Sequence, residues 1–169
     1  QRGETLSLVG ESGCGKSTVG KAILRLFTVT DGQVVLNGQR IDELSNAALR
    51  PFRRSMQVVF QDPFSSLNPR MKVRDILAEP ITNFGLLSDK AAIEKRIGDL
   101  MEKVGLPRDA VDRWPHEFSG GQRQRIGIAR ALAVELGADA DPTVELADDP
   151  VVAVLQMAST GAIGWHGWS

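Results

Sequence analysis

Apolar and polar residues along the first 60 positions predict short strands around one helix. The run at 5–9 (TLSLV) is β-prone and ends in glycine. After a glycine-rich stretch, apolar residues recur at the spacing of a helix face, namely Val19, Ile23, Leu26 and Phe27. This order predicts a strand, a glycine-rich loop and a helix.

A hairpin and a further strand follow in the pattern. The segments 33–36 and 39–41 flank Asn37-Gly38, a dipeptide that readily takes the positive φ angles of a tight hairpin turn. Residues 55–60 (SMQVVF) are apolar enough for a buried strand, which Gln61-Asp62-Pro63 would end.

The middle of the chain has helical periodicity. We predict a short helix at 73–79, a stronger one at 89–104 and a third from 123 to about 135. Gly105 and Pro107 lie just past the second helix, as is typical of a helix end. The pattern therefore predicts an α/β part, an inserted helical part and a return toward the sheet.

The two ends of the chain fit this scheme poorly. From about residue 136 the sequence is rich in Ala, Asp, Val and Gly, and it carries two of the three tryptophans without a clear period. The first residues lack an initiator Met and run almost at once into a strand, so the start is interpreted as a cut inside a fold.

Composition and charge narrow the class of protein. Of 169 residues, 42% are hydrophobic and 24% charged, with a formal net charge of −1. This balance gives no argument for nucleic acid as a partner. The single cysteine, Cys14, excludes an internal disulfide and fits a reducing compartment. No run approaches the roughly 18 apolar residues of a spanning helix and no signal peptide opens the chain, so we expect a soluble protein whose membrane role comes through a partner.

The clearest chemical motif is the segment 10–17, which matches G-x-x-x-x-G-K-[ST] at every fixed position. Its glycines let backbone N–H groups wrap phosphate oxygens and deliver them to the start of the following helix. Lys16 can reach the β- and γ-phosphates, and the Ser17 hydroxyl can ligate Mg²⁺. The predicted nucleotide-binding residues here are Gly10, Ser12, Gly13, Cys14, Gly15, Lys16, Ser17 and Thr18.

A second anion-binding motif lies at 118–125 (FSGGQRQR). A serine and two glycines at a helix start expose N–H groups in a favourable dipole. One chain has little use for two such sites on one nucleotide, whereas two facing chains could each complete the other's site. The predicted ligands of a partner chain's nucleotide are Ser119, Gly120, Gly121 and Gln122.

The pair of motifs resembles the ABC ATPase family, in which an L-S-G-G-Q signature completes the partner's P-loop site in a head-to-tail dimer. Here Phe118 replaces the leucine. The resemblance implies an incomplete P-loop NTPase fold of the ABC type, with an antiparallel hairpin region and an inserted helical subdomain, and it implies ATP and Mg²⁺. It further implies that Gln61 is the Q-loop glutamine, which contacts Mg²⁺ and the attacking water.

Finer similarity narrows the solute class. Residues 57–70 and the run 114–118 (WPHEF) look like the corresponding segments of oligopeptide, dipeptide and nickel importer ATPases. The partition that follows is a P-loop core with hairpin at 1–61, a helical subdomain at 62–118, a signature helix at 119–135 and an atypical tail at 136–169. In this group the helical subdomain docks on the permease.

The resemblance fails after about residue 135. The nearest copy of the family's Walker B strand is 142–150 (PTVELADDP), which makes Asp148 a Mg²⁺ ligand and puts Asp149 in place of the catalytic glutamate. Glu145 would bring a charge into a buried strand, and aspartate is one methylene shorter than glutamate. A shifted reading frame and a diverged catalytic strand both explain this segment, and the sudden loss of periodicity favours the first.

Two functions follow from these expectations. The first is an ATP-hydrolysing subunit that energises import of dipeptide, oligopeptide, glutathione or nickel complex, with this copy impaired in hydrolysis. It would lie peripherally on the cytoplasmic face of the inner membrane, with permease subunits and an identical or paralogous ATPase as partners. The second is a nucleotide-binding remnant or regulatory binder that does not hydrolyse. An ABC-type ATPase of DNA repair or translation would need long heptads or a basic stripe, and the sequence has neither.

Overall fold

The computed structural model describes residues 5–11, 13–60, 62, 66–134, 153–157 and 162–167. The chain divides into two compact units, one made of Gln1–Val58 with Val151–Ser169 and the other of Val59–Pro150. These units follow spatial contacts, so the sequence-based partition at residues 61, 118 and 135 stays a prediction. Each unit is described by itself below.

The described strands are β1 (Thr5–Val9), β2 (Val35–Leu36), β3 (Gln39–Arg40), β4 (Met56–Val59), β5 (Ala153–Met157) and β6 (Ala162–Gly167). Four of them form one sheet in the order β1-β6-β5-β4. Strand β6 runs antiparallel to both neighbours, with Thr5 opposite His166 and Ala153 opposite Gly167. Strands β5 and β6 lie in the tail, where the sequence pattern predicted no element. The Walker B candidate at 142–150 lies outside the described residues.

The predicted hairpin is confirmed. Strands β2 and β3 pair antiparallel, with Val35 opposite Arg40. Asn37 and Gly38 have φ angles of 49° and 76°, which is the left-handed pair that a two-residue hairpin turn requires.

The carboxylate of Asp42 closes this hairpin. It accepts the Val34 N–H at 2.9 Å and the Arg40 Nε–H at 2.9 Å, and its side chain is 5% exposed. The hydrogen bond from Arg40, aided by the one from Val34, lowers the pKa of Asp42 to about 2. Since an unfolded aspartate titrates near 3.9, the charged form stabilises the fold above about pH 4.

We expect Asp42→Asn to remove part of the acid sensitivity of the fold. A depressed carboxylate pKa contributes stability that is lost as pH falls from about 4 through about 2, so the wild-type unfolding midpoint should drop more steeply there than that of the variant. Thermal unfolding followed by circular dichroism between pH 5 and 2 measures this. Asp31→Asn, which alters a carboxylate bonded to the adjacent Gly32 N–H, is the matched control.

The first two helices are α1 (Lys16–Ile23) and α2 (Asn46–Arg54). Helix α1 contacts β5 and β6 and stops earlier than predicted, because Arg25 takes a φ of 53° and turns the chain. Leu24 is therefore the buried residue at this end, whereas the residues predicted to share a helical face are exposed, with exposed fractions between 42% and 49% at Val19, Ile23, Leu26 and Phe27.

The second unit holds the three remaining described helices, α3 (Val73–Asn83), α4 (Lys90–Lys103) and α5 (Gly120–Leu132), and two 3₁₀ helices, Arg108–Asp112 and Pro115–Glu117. The helix predicted at 89–104 is confirmed. Asp89 caps its start by accepting the Ala92 N–H at 2.8 Å, and Gly105, with a φ of 69°, closes its end.

One apolar core lies among these helices. It takes the inward-facing side of each helix together with Leu67 and Phe118, which reach it from the connecting segments. The most deeply buried large side chains of this unit are at most 2% exposed. They are Val73, Ile76, Leu77, Ile81, Leu86, Ile97, Leu100, Met101, Ile126 and Val134. Their burial fixes α5, and with it the motif at its start, on α3 and α4.

Candidate nucleotide-binding site

The glycine-rich loop before α1 has the backbone conformation that its sequence predicts. Gly13 and Gly15 have φ angles of 86° and 94°, and a Cβ at either position would meet no atom within 4 Å. Glycine is therefore needed at both for its left-handed backbone and not for lack of space. These two turns curl the loop onto the start of α1.

A steric reason holds for Gly10. A Cβ built there would lie 2.7 Å from the Sγ of Cys14, which is closer than real Cβ contacts. The Cys14 N–H donates to the Glu11 carbonyl at 3.3 Å, so the loop folds back on its own beginning. A small residue at 10 and a compact one at 14 are thus parts of one turn.

The ammonium of Lys16 lies across the same turn. Its Nζ donates to the carbonyl oxygens of Gly10 at 2.8 Å and of Glu11 at 2.5 Å, and lies 3.4 Å from the Cys14 Sγ. The positive charge is thereby held against the carbonyls at the beginning of the loop. This is the position from which a lysine can reach an anion seated in that loop.

The start of α1 suits a phosphate. Gly15 occupies the N-cap position with no side-chain cap, and the first turn holds no acidic residue. The first N–H groups of the helix carry partial positive charge, which a phosphate can neutralise. Ser17 and Thr18 expose their side chains at this end. The loop, the Lys16 ammonium and the start of α1 thus have the chemistry to bind the phosphates of a nucleotide. Ser12, also predicted to bind the nucleotide, lies outside the described residues.

The second motif, in the other unit, forms a capping box at the start of α5. The Ser119 Oγ accepts the Gln122 N–H at 3.3 Å, and the Gln122 Oε1 accepts the Ser119 N–H at 2.9 Å. Both side chains are predicted ligands of a partner's nucleotide, and this local role is an addition to that prediction. The spacing S-x-x-Q is itself the sequence signal of such a cap.

The residues before the motif hold it in place. Phe118 is 4% exposed within the core, so this position anchors the motif by burial and requires an apolar side chain. The Arg123 guanidinium donates to the carbonyls of Phe118 at 2.9 Å and His116 at 3.3 Å. Glu117 accepts the Trp114 N–H at 2.6 Å and caps the short helix that leads in. The run 114–118 is therefore a structural support for α5.

The remaining predicted site residues, Gln61, Asp148 and Asp149, lie outside the described residues. Within the part of the chain that the structure describes, no three His, Cys, Asp or Glu side chains are grouped to hold a metal ion. Among its helices, none has the length and apolar character needed to cross a bilayer. The glycine-rich loop belongs to the first unit and the capping-box motif to the second.

Comparison with known proteins decides the family. The family model described as ABC transporter matches residues 1–152. The chain belongs to the ABC transporter family. Within that family, the loop at 10–17 is interpreted as the P-loop and residues 118–122 as the signature motif, as the sequence predicts. The sequence-based recognition and the fold class, an incomplete α/β P-loop NTPase of the ABC ATPase type, are both confirmed.

Two similar proteins with curated names are ATP-binding proteins of oligopeptide transport and of glutathione import. The oligopeptide transport ATP-binding protein OppF of Bacillus subtilis is 53% identical over 90% of this chain and 48% of its own length. The glutathione import ATP-binding protein GsiA of Escherichia coli O157:H7 is also 53% identical over 90% of this chain, but over 23% of its own length. The chain thus spans about half the length of the oligopeptide relatives that it matches.

A solved structure supports the same fold. The protein cbiO1 of Clostridium perfringens, part of the ABC transporter complex cbiONQ, matches with a TM-score of 0.62 at 26% identity. The match covers 75% of this chain and 49% of that one.

The capping box makes a prediction for Gln122. Methionine has a similar length but no acceptor, so Gln122→Met leaves the Ser119 N–H without its partner and should lower the free energy of unfolding by about 1 kcal/mol. Gln122→Glu keeps an acceptor and should stay within about 0.5 kcal/mol of wild type. Urea unfolding measures both. Gln124→Met, on the same helix, is the control, and equal losses in the two methionine variants would contradict the cap.

Proposed function

We propose that this chain is the ATP-binding and ATP-hydrolysing part of an importer that takes up peptides or related solutes. The observation that carries the proposal is the P-loop, where Lys16 lies across the carbonyls of Gly10 and Glu11 in front of a helix start that carries no side-chain cap. The solute class rests on the names of the relatives, which are oligopeptide and glutathione importers at 50–53% identity.

The P-loop residues have distinct roles in this proposal. The N–H groups of residues 13–18 would bind phosphate oxygens, and the Lys16 ammonium would leave the loop carbonyls to bind the β- and γ-phosphates. The Ser17 hydroxyl would hold Mg²⁺ together with phosphate oxygens, since Mg²⁺ often takes few protein ligands. Gln61 and Asp148 are proposed as further ligands. When bound, Mg²⁺ would neutralise charge on the γ-phosphate.

We propose that each nucleotide site is completed by a second ATPase subunit. The capping box uses the N–H groups of Ser119 and Gln122, so the N–H groups of Gly120 and Gly121 are the ones that would bind an anion at this helix start. Facing the partner's P-loop head-to-tail, this helix start would close over the γ-phosphate. The partner is an identical or related ATPase, and permease subunits would anchor the pair at the cytoplasmic face of the membrane.

The catalytic step concerns the water that would attack the γ-phosphate. Phosphoryl transfer needs a residue that orients the attacking water, and we assign this role to Gln61 and Asp149. An aspartate at 149 places its carboxylate one methylene short of a glutamate, which should slow turnover more than it weakens binding. This copy is therefore proposed to be impaired in hydrolysis.

Binding and turnover together test the proposal. Titration with a fluorescent ATP analogue in the presence of Mg²⁺ measures binding, and phosphate release measures turnover, each in wild type and Lys16→Ala. Binding and turnover that both depend on Lys16 support an ATPase. Binding without turnover supports the alternative, a nucleotide binder that does not hydrolyse. Restored uptake of a labelled tripeptide in cells that lack a peptide-importer ATPase subunit would support the solute class, and failure beside active hydrolysis would overturn it.

A further inference from the structure

Arginine side chains link α5 to neighbouring segments by donating hydrogen bonds to backbone carbonyls. Arg123 reaches the segment before the helix, and Arg96 of α4 donates to the Leu132 carbonyl at its end at 3.3 Å. Arg130 differs from these two because its partner is farther away in sequence. Its Nη1 donates to the carbonyl of Ser66, 64 positions back along the chain, at 2.9 Å. Ser66 lies in the segment 57–70 that resembles the family's Q-loop region.

The Arg130 guanidinium stays charged at some cost. Burial lowers the pKa of Arg130, and the charge of Glu79 opposes that effect. Because burying a charge costs free energy that its partners return only in part, a buried charged group is weak evidence for a stabilising role. Stability alone therefore gives a weak reason for an arginine at this position.

The neighbouring Leu67 already secures the segment to the core. Its side chain is 3% exposed and packs in the same apolar cluster as Ile126, Ala129 and Leu132 of α5. Burial of a leucine contributes more to stability than one hydrogen bond to a carbonyl. The bond from Arg130 thus adds direction: it fixes the orientation of the Ser66 peptide group relative to α5.

We propose that Arg130 is a positioning residue that couples the Q-loop segment to the signature helix α5. A displacement of the segment around Ser66 is then passed to α5 through the carbonyl bond, and so to the capping box at its other end. This inference rests on the proposed function, because it assigns meaning to both motifs. It identifies a coupling route within one subunit through the hydrogen bond between Arg130 and the Ser66 carbonyl.

Two amides report directly on the coupled segment. The Arg70 N–H donates to the Asn68 Oδ1 at 3.0 Å, and the Met71 N–H donates to the Asn68 carbonyl at 3.2 Å. Both bonds open when the segment opens, so their hydrogen exchange measures its local stability. This readout needs neither nucleotide nor partner.

The test compares Arg130→Met with Arg96→Met, a matched control that removes another half-buried arginine bonded to a carbonyl. We expect exchange at Arg70 and Met71 to rise about tenfold in Arg130→Met and to stay at the wild-type rate in Arg96→Met. Arg130→Lys, which keeps a donor, should restore most of the protection. The unfolding midpoint of Arg130→Met should fall no more than that of Arg96→Met, because each variant leaves one backbone carbonyl without its arginine donor.

In the assembled transporter, the ratio of ATP turnover with and without permease should fall toward one in Arg130→Met. Unchanged exchange at Arg70 and Met71, an equal effect in Arg96→Met, or a midpoint below that of Arg96→Met with faster exchange throughout would each overturn the coupling role. Loss of ATP binding in the wild type would instead contradict the proposed function and leave the exchange result intact.

Discussion

Replacing Lys16 with alanine is expected to weaken binding of Mg-ATP by about 10- to 150-fold and to abolish measurable turnover. The ammonium lies against the carbonyls at the beginning of the P-loop, from where it would form charge-assisted hydrogen bonds to the β- and γ-phosphates. Such bonds contribute about 1.5–3 kcal/mol each, which corresponds to that range of affinity. Isothermal titration with a non-hydrolysable ATP analogue measures the loss.

Lys21→Ala is the matched control for this variant. Lys21 lies on the same helix with its Nζ 5.7 Å from the centre of the Phe27 ring, away from the loop. Removing it subtracts the same charge from the chain and should leave affinity within about twofold, because its ammonium contacts the Phe27 ring and not the loop carbonyls and salt screens its charge in part. Equal losses in the two variants would mean that net charge, and not the loop, determines binding.

Introducing an aspartate at Gly121 is expected to stop turnover while sparing the fold and the binding of ATP by the P-loop. A Cβ at this position meets no atom within 4 Å, and the backbone φ is not left-handed, so the side chain has room. An acidic residue in the first turn of α5 even stabilises the helix through its dipole. The same negative charge would repel the partner's γ-phosphate, and turnover should fall at least tenfold.

Gly121→Asn separates charge from bulk. Asparagine has nearly the shape of aspartate, so the ratio of turnover between the two variants reports the electrostatic effect alone. The unfolding midpoint of Gly121→Asp should equal or exceed that of Gly121→Asn. Equal turnover in the aspartate and asparagine variants would argue against an anion at the start of α5, and with it against the head-to-tail arrangement.

Local chemistry explains which elements the sequence could predict. The hairpin followed from Asn37-Gly38, and α4 followed from its apolar face and from the residues at its ends. Helix α2 was missed because it is only nine residues long, buries only Leu49 and includes Pro51, although its polar and apolar residues do lie on separate faces. Its start depends on the Ser45 hydroxyl, which accepts the Ala48 N–H at 3.3 Å.

The candidate site divides in the same way. The P-loop could be predicted because two left-handed backbone positions, Gly13 and Gly15, require glycine, and sequence records that requirement directly. The capping role of Gln122 could have been predicted from the spacing S-x-x-Q, whereas the family resemblance implies only that Gln122 contacts the partner's nucleotide. The bond between Arg130 and Ser66 could not be predicted, because 64 positions separate its ends and each residue alone is ordinary.

The two units also differ in when they can form. The second is one continuous stretch, Val59–Pro150, with its own core, whereas the first joins Gln1–Val58 to Val151–Ser169 and pairs Thr5 with His166. Contacts between residues near in sequence form quickly, whereas pairing between strands distant in sequence forms slowly and therefore late in folding. During synthesis the helical unit can thus fold before β6 has been synthesised and has paired with β1. A chain of residues 59–150 alone should unfold cooperatively in urea, and the first unit should limit the refolding rate of the whole chain.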